Sequence, residues 1–171
     1  VIKAIKPRDH RLPFGDLAQA GITTFMEANT SEATVRTYVE LARRQLLHAH
    51  VSMALGSDGT NSEAEFARLA ALRTLAASQP LLRADLIKLF ADGVMEYPTH
   101  SAALLEPYLE ANGKPGTNYG PTYLEPGPLA LFVRRVADEG FGVHIHALGD
   151  RATRIALDAF ADARAHGSTR S

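Results

Sequence analysis

The chain has 171 residues, of which 46% are hydrophobic and 22% are charged, and 18 Lys and Arg against 19 Asp and Glu leave a net charge of -1. This composition excludes a disordered chain, because the apolar content can offset the entropy of ordering. The balanced charge argues against a nucleic-acid binder, and the absence of cysteine excludes disulfides and thiolate metal sites.

Short apolar runs alternate with longer stretches of helical spacing in the first half of the chain. The first run, 21–28, precedes a helix whose N-cap is predicted at Ser31. A second run, 46–55, closes on a glycine turn at 56–59, and the next helix is predicted to start with a capping box at 62–65. Each unit is therefore predicted to be a strand followed by a helix.

The second half continues this alternation around one long connection. A third run covers 86–91, and a Gly- and Pro-rich connection follows over about 97–128. A helix is predicted over 129–139, a fourth strand over 141–147 and a last helix over 150–164.

Four strand–helix units imply parallel strands with crossover helices, so the predicted fold class is α/β. Because no glycine-rich nucleotide motif follows any strand, a partial (β/α)8 TIM-type barrel of about four units is favoured over a doubly wound sheet. We assign 1–16 to a lead segment, 17–166 to the partial barrel and 167–171 to a frayed polar tail.

Polar residues on these strands are the candidates for chemistry. Lys88 lies inside an apolar strand, where it could form an ion pair, a Schiff base with a substrate, or a carbamate that bridges two metal ions. His144 and His146 share one face of the fourth strand and could bind zinc or form an ordinary hydrogen-bonded pair. His48 and His50 have the same spacing, but they lie at the start of their strand and are interpreted as structural or exposed.

Two segments together resemble a family signature. Residues 87–94, Ile-Lys-Leu-Phe-Ala-Asp-Gly-Val, and 143–152, Val-His-Ile-His-Ala-Leu-Gly-Asp-Arg-Ala, resemble the YtcJ-like branch of the amidohydrolase superfamily, amidohydrolase family 3. The resemblance implies a metal-dependent hydrolase on a (β/α)8 barrel, of which this chain supplies strands two to five. It further implies one or two divalent metal ions, with zinc expected, held by His146 and by a carboxylated Lys88.

The resemblance also implies a reaction and a substrate. Metal-activated water would hydrolyse a carbon–nitrogen bond, other than a peptide bond, in a small amide, formamide or cyclic amide. Glu96, Thr99 and Tyr108 on the long connection are expected to contact this small-molecule substrate. The general-base aspartate and the histidines of the first and sixth strands have no counterpart here, so the chain is expected to be a fragment that is inactive alone.

Two alternatives stay open. Lys88 could instead form a Schiff base in an aldolase-type barrel that needs no metal. The chain could also be a catalytically inactive half-barrel that serves binding or assembly, with exposed strand edges that favour a homo-oligomer. Neither nucleic acid nor membrane is an expected partner, and a cytoplasmic location is expected because no signal peptide is visible.

Overall fold

The computed structural model of the protein describes residues 11–167, in which helices and strands alternate. The elements are α1 (Arg11–Gln19), β1 (Thr24–Thr30), α2 (Glu32–Arg43), β2 (His50–Gly56), α3 (Glu63–Ala77), β3 (Leu82–Phe90), α4 (Pro126–Asp138), β4 (Gly142–His146) and α5 (Asp150–Ala165). The predicted lead segment lies outside the described residues over 1–10, as does the predicted tail over 168–171. None of the described helices is long and apolar enough to cross a membrane.

The four strands form one sheet in the order β1-β2-β3-β4. β1 and β2 run parallel, with Thr24 opposite His50 and Glu27 opposite Met53, and the register becomes irregular after Glu27. Parallel strands that follow each other in sequence need crossover connections, which contain α2, α3 and α4 here. The predicted α/β class is confirmed, and the strand order is consistent with consecutive units of a (β/α) barrel.

The chain divides into two compact units, and it passes from one to the other within β2, α3 and β3. The first unit contains the chain up to residue 55 together with 66–86. Its core includes Val35 from α2, Met53 from β2 and Leu69 from α3, all of which are fully buried. Helix stripes and a strand therefore supply this core, as expected for one β/α layer pair.

Two helices begin where the sequence predicts them. Ser31 is the N-cap of α2, and its Oγ accepts a hydrogen bond from the Thr34 amide at 3.2 Å. At α3, the Ser62 Oγ accepts from the Glu65 amide at 3.2 Å, which is one half of the predicted capping box. The Glu65 carboxylate accepts a hydrogen bond from the Ser57 hydroxyl at 2.7 Å, because the turn after β2 brings that hydroxyl to the first turn of α3.

The second unit contains 56–65 and the chain from residue 87 onward. In it α4 packs against α5, and α4 contributes the buried side chains of Phe132 and Val136. Because alanine is small, an alanine face allows two helices to approach closely. The buried residues of α5 are all alanines: Ala152, Ala156, Ala159 and Ala163.

Several elements begin at residues other than the predicted ones: β1 and β2 start later, at Thr24 and His50, β4 starts one residue later, and β3 and α4 start earlier. β3 begins at Leu82, four residues before the predicted start. The predicted strand starts later because Arg83 and Asp85 interrupt the apolar run; in the structure their side chains lie on one face of the strand and pair at 3.0 Å. α4 also begins earlier, at Pro126, since proline lacks an amide hydrogen and suits the first turn of a helix. The earlier starts lengthen β3 and α4 and shorten the connections that precede them.

Candidate active site

Lys88 is a buried lysine near the end of β3 that has no counter-charge among residues 11–167. The residue is 6% exposed and lies between Ile87 and Leu89, which are fully buried. Its Nζ lies 4.6 Å from the ring centroid of Phe90, and no ion pair or hydrogen bond joins it to another residue within 11–167. Burial lowers the pKa of the Lys88 amine, which favours the neutral form that reacts with a carbonyl carbon or with carbon dioxide.

His146 is the last residue of β4, and one of its ring nitrogens is fixed by the protein. Its Nε2 lies 2.8 Å from the carbonyl oxygen of Gly93. A carbonyl oxygen can only accept, so Nε2 carries the proton and the neutral ring keeps its lone pair on Nδ1. This is the arrangement in which a histidine ligates a metal ion, because the second nitrogen is oriented by a hydrogen bond.

His144 lies on the same strand face, close to both of these residues. Burial, together with the charges of Lys88 and His146, lowers the pKa of His144. The Phe90 ring, which contacts the Lys88 amine, also lies 5.2 Å from the His146 ring between centroids. The His144 Nδ1 is buried and has no hydrogen-bond partner among the described residues. The ends of β3 and β4 thus bring an amine and two imidazoles to one face.

Asp92, directly after β3, is a fully buried carboxylate that organises the surrounding backbone. Its Oδ2 accepts hydrogen bonds from the amides of Gly149 at 2.7 Å and Ala103 at 2.9 Å, and its Oδ1 accepts from Leu148 at 3.0 Å. Oδ1 also lies 3.8 Å from the His146 Nε2. The sequence does not predict these hydrogen bonds of Asp92. The one feature that points to the position is an Asp-Gly pair directly after an apolar strand.

Gly149, the N-cap of α5, permits the close approach that Asp92 requires. A Cβ at this position would lie 1.9 Å from the carbonyl oxygen of Ala103, so any side chain would push the two segments apart. The next residue, Asp150, accepts hydrogen bonds from the amides of Leu105 at 2.8 Å and Arg151 at 2.9 Å. Two neighbouring positions thereby hold the long connection against the start of α5.

The predicted substrate contacts lie on the long connection and make local hydrogen bonds. Glu96 and Thr99 are exposed, and the Thr99 hydroxyl donates to the Glu96 carbonyl oxygen at 2.6 Å. Tyr108 stacks on the His100 ring at 4.6 Å between centroids, and its hydroxyl donates to the Ala102 carbonyl at 2.9 Å. Burial raises the pKa of Tyr108. The Thr99 and Tyr108 side chains thus bond within their own loop, and substrate contact stays a prediction for all three residues.

Few side chains of the described residues are placed to bind a metal ion. Within residues 11–167, no group of three or more His, Cys, Asp or Glu side chains is arranged to hold a metal ion. The Nδ1 of the His146 imidazole and, once carboxylated, the oxygens of Lys88 suit a zinc ion. The residues present therefore fit part of a metal site, and their role as ligands stays a prediction.

A known protein family matches nearly the whole chain. The sequence model described as the amidohydrolase family matches residues 9–170. The chain is 31% identical over 153 residues to the exoenzymes regulatory protein AepA of Pectobacterium carotovorum subsp. carotovorum, covering 89% of this chain and 30% of that protein.

Two solved structures are also similar. An uncharacterized metal-dependent hydrolase from Pyrococcus furiosus has a TM-score of 0.66 at 28% identity, over 88% of this chain and 30% of that one. Another from Pyrococcus horikoshii OT3 has a TM-score of 0.63 at 26% identity, over 86% of this chain and 28% of that one. The chain thus spans less than a third of the length of these relatives. Since the family model covers nearly the whole sequence, the chain belongs to the amidohydrolase family.

Proposed function

We propose that the protein carrying this chain is a metal-dependent hydrolase of a carbon–nitrogen bond, other than a peptide bond, in a small amide, formamide or cyclic amide. The observation that carries the proposal is the pair formed by Lys88 and His146. Lys88 is buried without a described counter-charge, and His146 donates from Nε2 to Gly93, which leaves its Nδ1 as a ligand. Two solved structures of similar fold, each described as a metal-dependent hydrolase, support the metal-dependent hydrolysis in this proposal.

Each residue would have a distinct part in holding the metal. His146 would bind through Nδ1, and Lys88 would bind through the oxygens of a carbamate. That carbamate forms when the lone pair of the neutral amine bonds to the carbon of carbon dioxide and one proton is lost to water. One or two divalent ions, zinc in our proposal, supply Lewis-acid polarisation of the carbonyl and a lowered pKa for water.

The chain's own residues hold this arrangement rigid. Asp92 fixes the ends of β3 and β4 to the start of α5 through three backbone amides. The Gly93 carbonyl holds the His146 ring in one tautomer and one orientation. A carbonyl substrate bound beside Lys88 would therefore meet fixed groups, which lowers the reorganisation needed during the reaction.

We further propose that the 171 residues are inactive by themselves. Two donors do not complete a catalytic zinc site, which uses about three protein ligands and an open position. The further ligands and the general-base aspartate would come from segments outside this sequence, which spans less than a third of its relatives. We also propose a cytoplasmic location and the YtcJ-like branch of the family.

Hydrolysis and its metal dependence test the proposal directly. The complete gene product is assayed with p-nitroformanilide, p-nitroacetanilide and hydantoin before chelation, after removal of metal with dipicolinate, and after addition of zinc and bicarbonate. We expect hydrolysis of at least one probe, loss on chelation and recovery with zinc. His146→Ala should reduce the rate by at least about 100-fold, as expected for loss of a metal ligand, while the exposed His48→Ala should not change it. Activity that survives chelation, or an active His146→Ala variant, would contradict the proposal.

A second candidate function rests on the same lysine. A buried amine with a lowered pKa can also form a Schiff base with an aldehyde or ketone. In that case borohydride would trap a carbonyl compound on the protein, and Lys88→Met would abolish the trapping. The hydrolase proposal predicts no trapping by the zinc-loaded protein, because the carboxylated nitrogen is not nucleophilic.

A further inference from the structure

Tyr123 lies in the long connection between β3 and α4, and its backbone is anchored next to the candidate metal ligands. Its amide donates to the carbonyl oxygen of Ala91 at 2.8 Å, and the amide of Ala91 donates to the carbonyl oxygen of His146 at 2.8 Å. Ala91 directly follows β3. A short ladder of two hydrogen bonds therefore fixes Tyr123 to the end of β3 and, through it, to His146.

The Tyr123 side chain lies close to Gly93, the residue whose carbonyl oxygen orients the His146 ring. A Cβ at Gly93 would lie 2.7 Å from the Tyr123 Oη and 2.2 Å from the Ser101 Oγ, so this glycine leaves room for both hydroxyls. The carbonyl oxygen of the same Gly93 accepts the hydrogen bond from the His146 Nε2. The Tyr123 hydroxyl and the His146 imidazole therefore both lie next to Gly93, just after the end of β3.

The Tyr123 hydroxyl differs from those of two other tyrosines, which have hydrogen-bond partners in the described chain. The Tyr108 hydroxyl donates to a backbone carbonyl and the Tyr38 hydroxyl donates to Glu27, which gives both a structural role. The Tyr123 Oη makes no hydrogen bond with another residue in the described part of the chain, and the residue is 53% exposed. The hydroxyl of Tyr123, a residue whose backbone is held by Ala91, has no partner within residues 11–167 and is therefore available to donate to a bound ligand.

We propose that Tyr123 is a catalytic residue that stabilises the oxyanion during hydrolysis, an inference that rests on the function proposed above. Water oxygen bonds to the carbonyl carbon while the π electron pair of the carbonyl moves onto its oxygen. When this pair returns, the carbon–nitrogen bond breaks, and nitrogen leaves with its electron pair and one proton from the water. The acid keeps the water oxygen. Tyr123 keeps its proton throughout and donates a hydrogen bond to the carbonyl oxygen while that oxygen carries charge.

Such a donor acts mainly on the transition state. The carbonyl oxygen accepts a hydrogen bond more strongly as it becomes negative, so removal of the donor lowers kcat more than it weakens substrate binding. Tyr123→Phe removes only the hydroxyl and keeps the ring. We expect kcat to fall by about 100-fold with a change in KM of less than about threefold, the pattern of a lost oxyanion donor.

The experiment uses the zinc-loaded complete gene product with p-nitroacetanilide and p-nitroformanilide as substrates. Binding of an N-aryl methylphosphonamidate, a tetrahedral anionic analogue, is measured by calorimetry as a readout that needs no turnover. Tyr123→Phe should weaken this analogue by at least about tenfold, because the charged tetrahedral form receives the stronger hydrogen bond. Tyr119→Phe is the matched control, because Tyr119 lies in the same connection, is 44% exposed, and its hydroxyl has no described partner.

The outcomes separate the two proposals. Loss of kcat and of analogue affinity in Tyr123→Phe, with wild-type values in Tyr119→Phe, supports the assignment. An active wild type with an equally active Tyr123→Phe variant overturns the role of Tyr123 and leaves the hydrolase proposal standing. If the wild type hydrolyses neither probe and binds no zinc, the proposed function fails and the role of Tyr123 falls with it.

Discussion

Lys88 and Asp92 are both ionisable and both buried, yet their surroundings differ completely. Asp92 accepts three backbone hydrogen bonds, which is sufficient to stabilise an ionised carboxylate away from water. The Lys88 amine lies against the Phe90 ring and makes no ion pair or hydrogen bond with another residue of the described chain. Of these two residues, Asp92 therefore has a structural role, and Lys88 is the one whose burial calls for an external group.

Replacement of Asp92 tests this structural role. Asp92→Asn keeps one acceptor oxygen and places an amide NH2 against backbone donors, so we expect a loss of about 2 kcal/mol in the free energy of unfolding. Urea unfolding measures this loss. The exposed pair of Asp85 with Arg83 gives the control, since Asp85→Asn should change stability by less than about 0.5 kcal/mol. Equal stability of the two variants would contradict the role of Asp92.

Tyr38 gives a pH-dependent prediction in the first unit. Burial, together with the nearby charge of Glu27 and a hydrogen bond to it, raises the pKa of Tyr38 to about 12. The unfolded chain releases this proton near pH 10, so the stabilisation from neutral Tyr38 is complete below pH 10 and is lost as pH rises toward 12. Between about pH 9 and 11.5 the wild type should lose about 2 kcal/mol more than Tyr38→Phe. Parallel urea titrations of the two proteins would show equal losses if the prediction is wrong.

Among the elements, local signals account for what the sequence predicts correctly. The four strands and their helices follow from apolar periodicity, and the α2 cap follows from a serine whose partner lies three residues away. The shape of the connection over 91–125 depends instead on pairs distant in sequence, such as Asp92 with Gly149 and Arg151 with the Gly120 carbonyl. No local pattern predicts such pairs, which is why the hydrogen bonds that Asp92 accepts and the placement of Tyr123 do not follow from the sequence.

The packing of α4 on α5 gives a prediction for a whole element. Ala159 is 2% exposed on α5, in the alanine face described above. Ala159→Leu forces a larger side chain into this face, and we expect a loss of about 2 kcal/mol through overpacking. Leu157, which is 59% exposed on the same helix, gives the control, because Leu157→Ala should have little effect. Thermal unfolding of both variants measures the difference, and an unchanged Ala159→Leu would contradict close packing.

On the scale of the whole molecule, the edge strand β1 is expected to promote self-association of the chain. It ends the strand order on one side, and its Met26 side chain is half exposed. Strands at a sheet edge pair readily with other chains. We therefore predict that the isolated 171-residue chain self-associates in sedimentation velocity, and that Met26→Lys shifts it toward monomer. A monomeric wild-type chain at high concentration would contradict this prediction.

Zinc content of the complete gene product tests the central claim most directly. After incubation with zinc and bicarbonate, we predict about one to two zinc ions per chain. This content should fall by at least about half in Lys88→Ala and His146→Ala, each of which removes a proposed ligand, and stay unchanged in the exposed Lys114→Ala and His48→Ala controls. Wild-type zinc content in both ligand variants, or no bound zinc in any of these proteins, would contradict a metal centre built on Lys88 and His146.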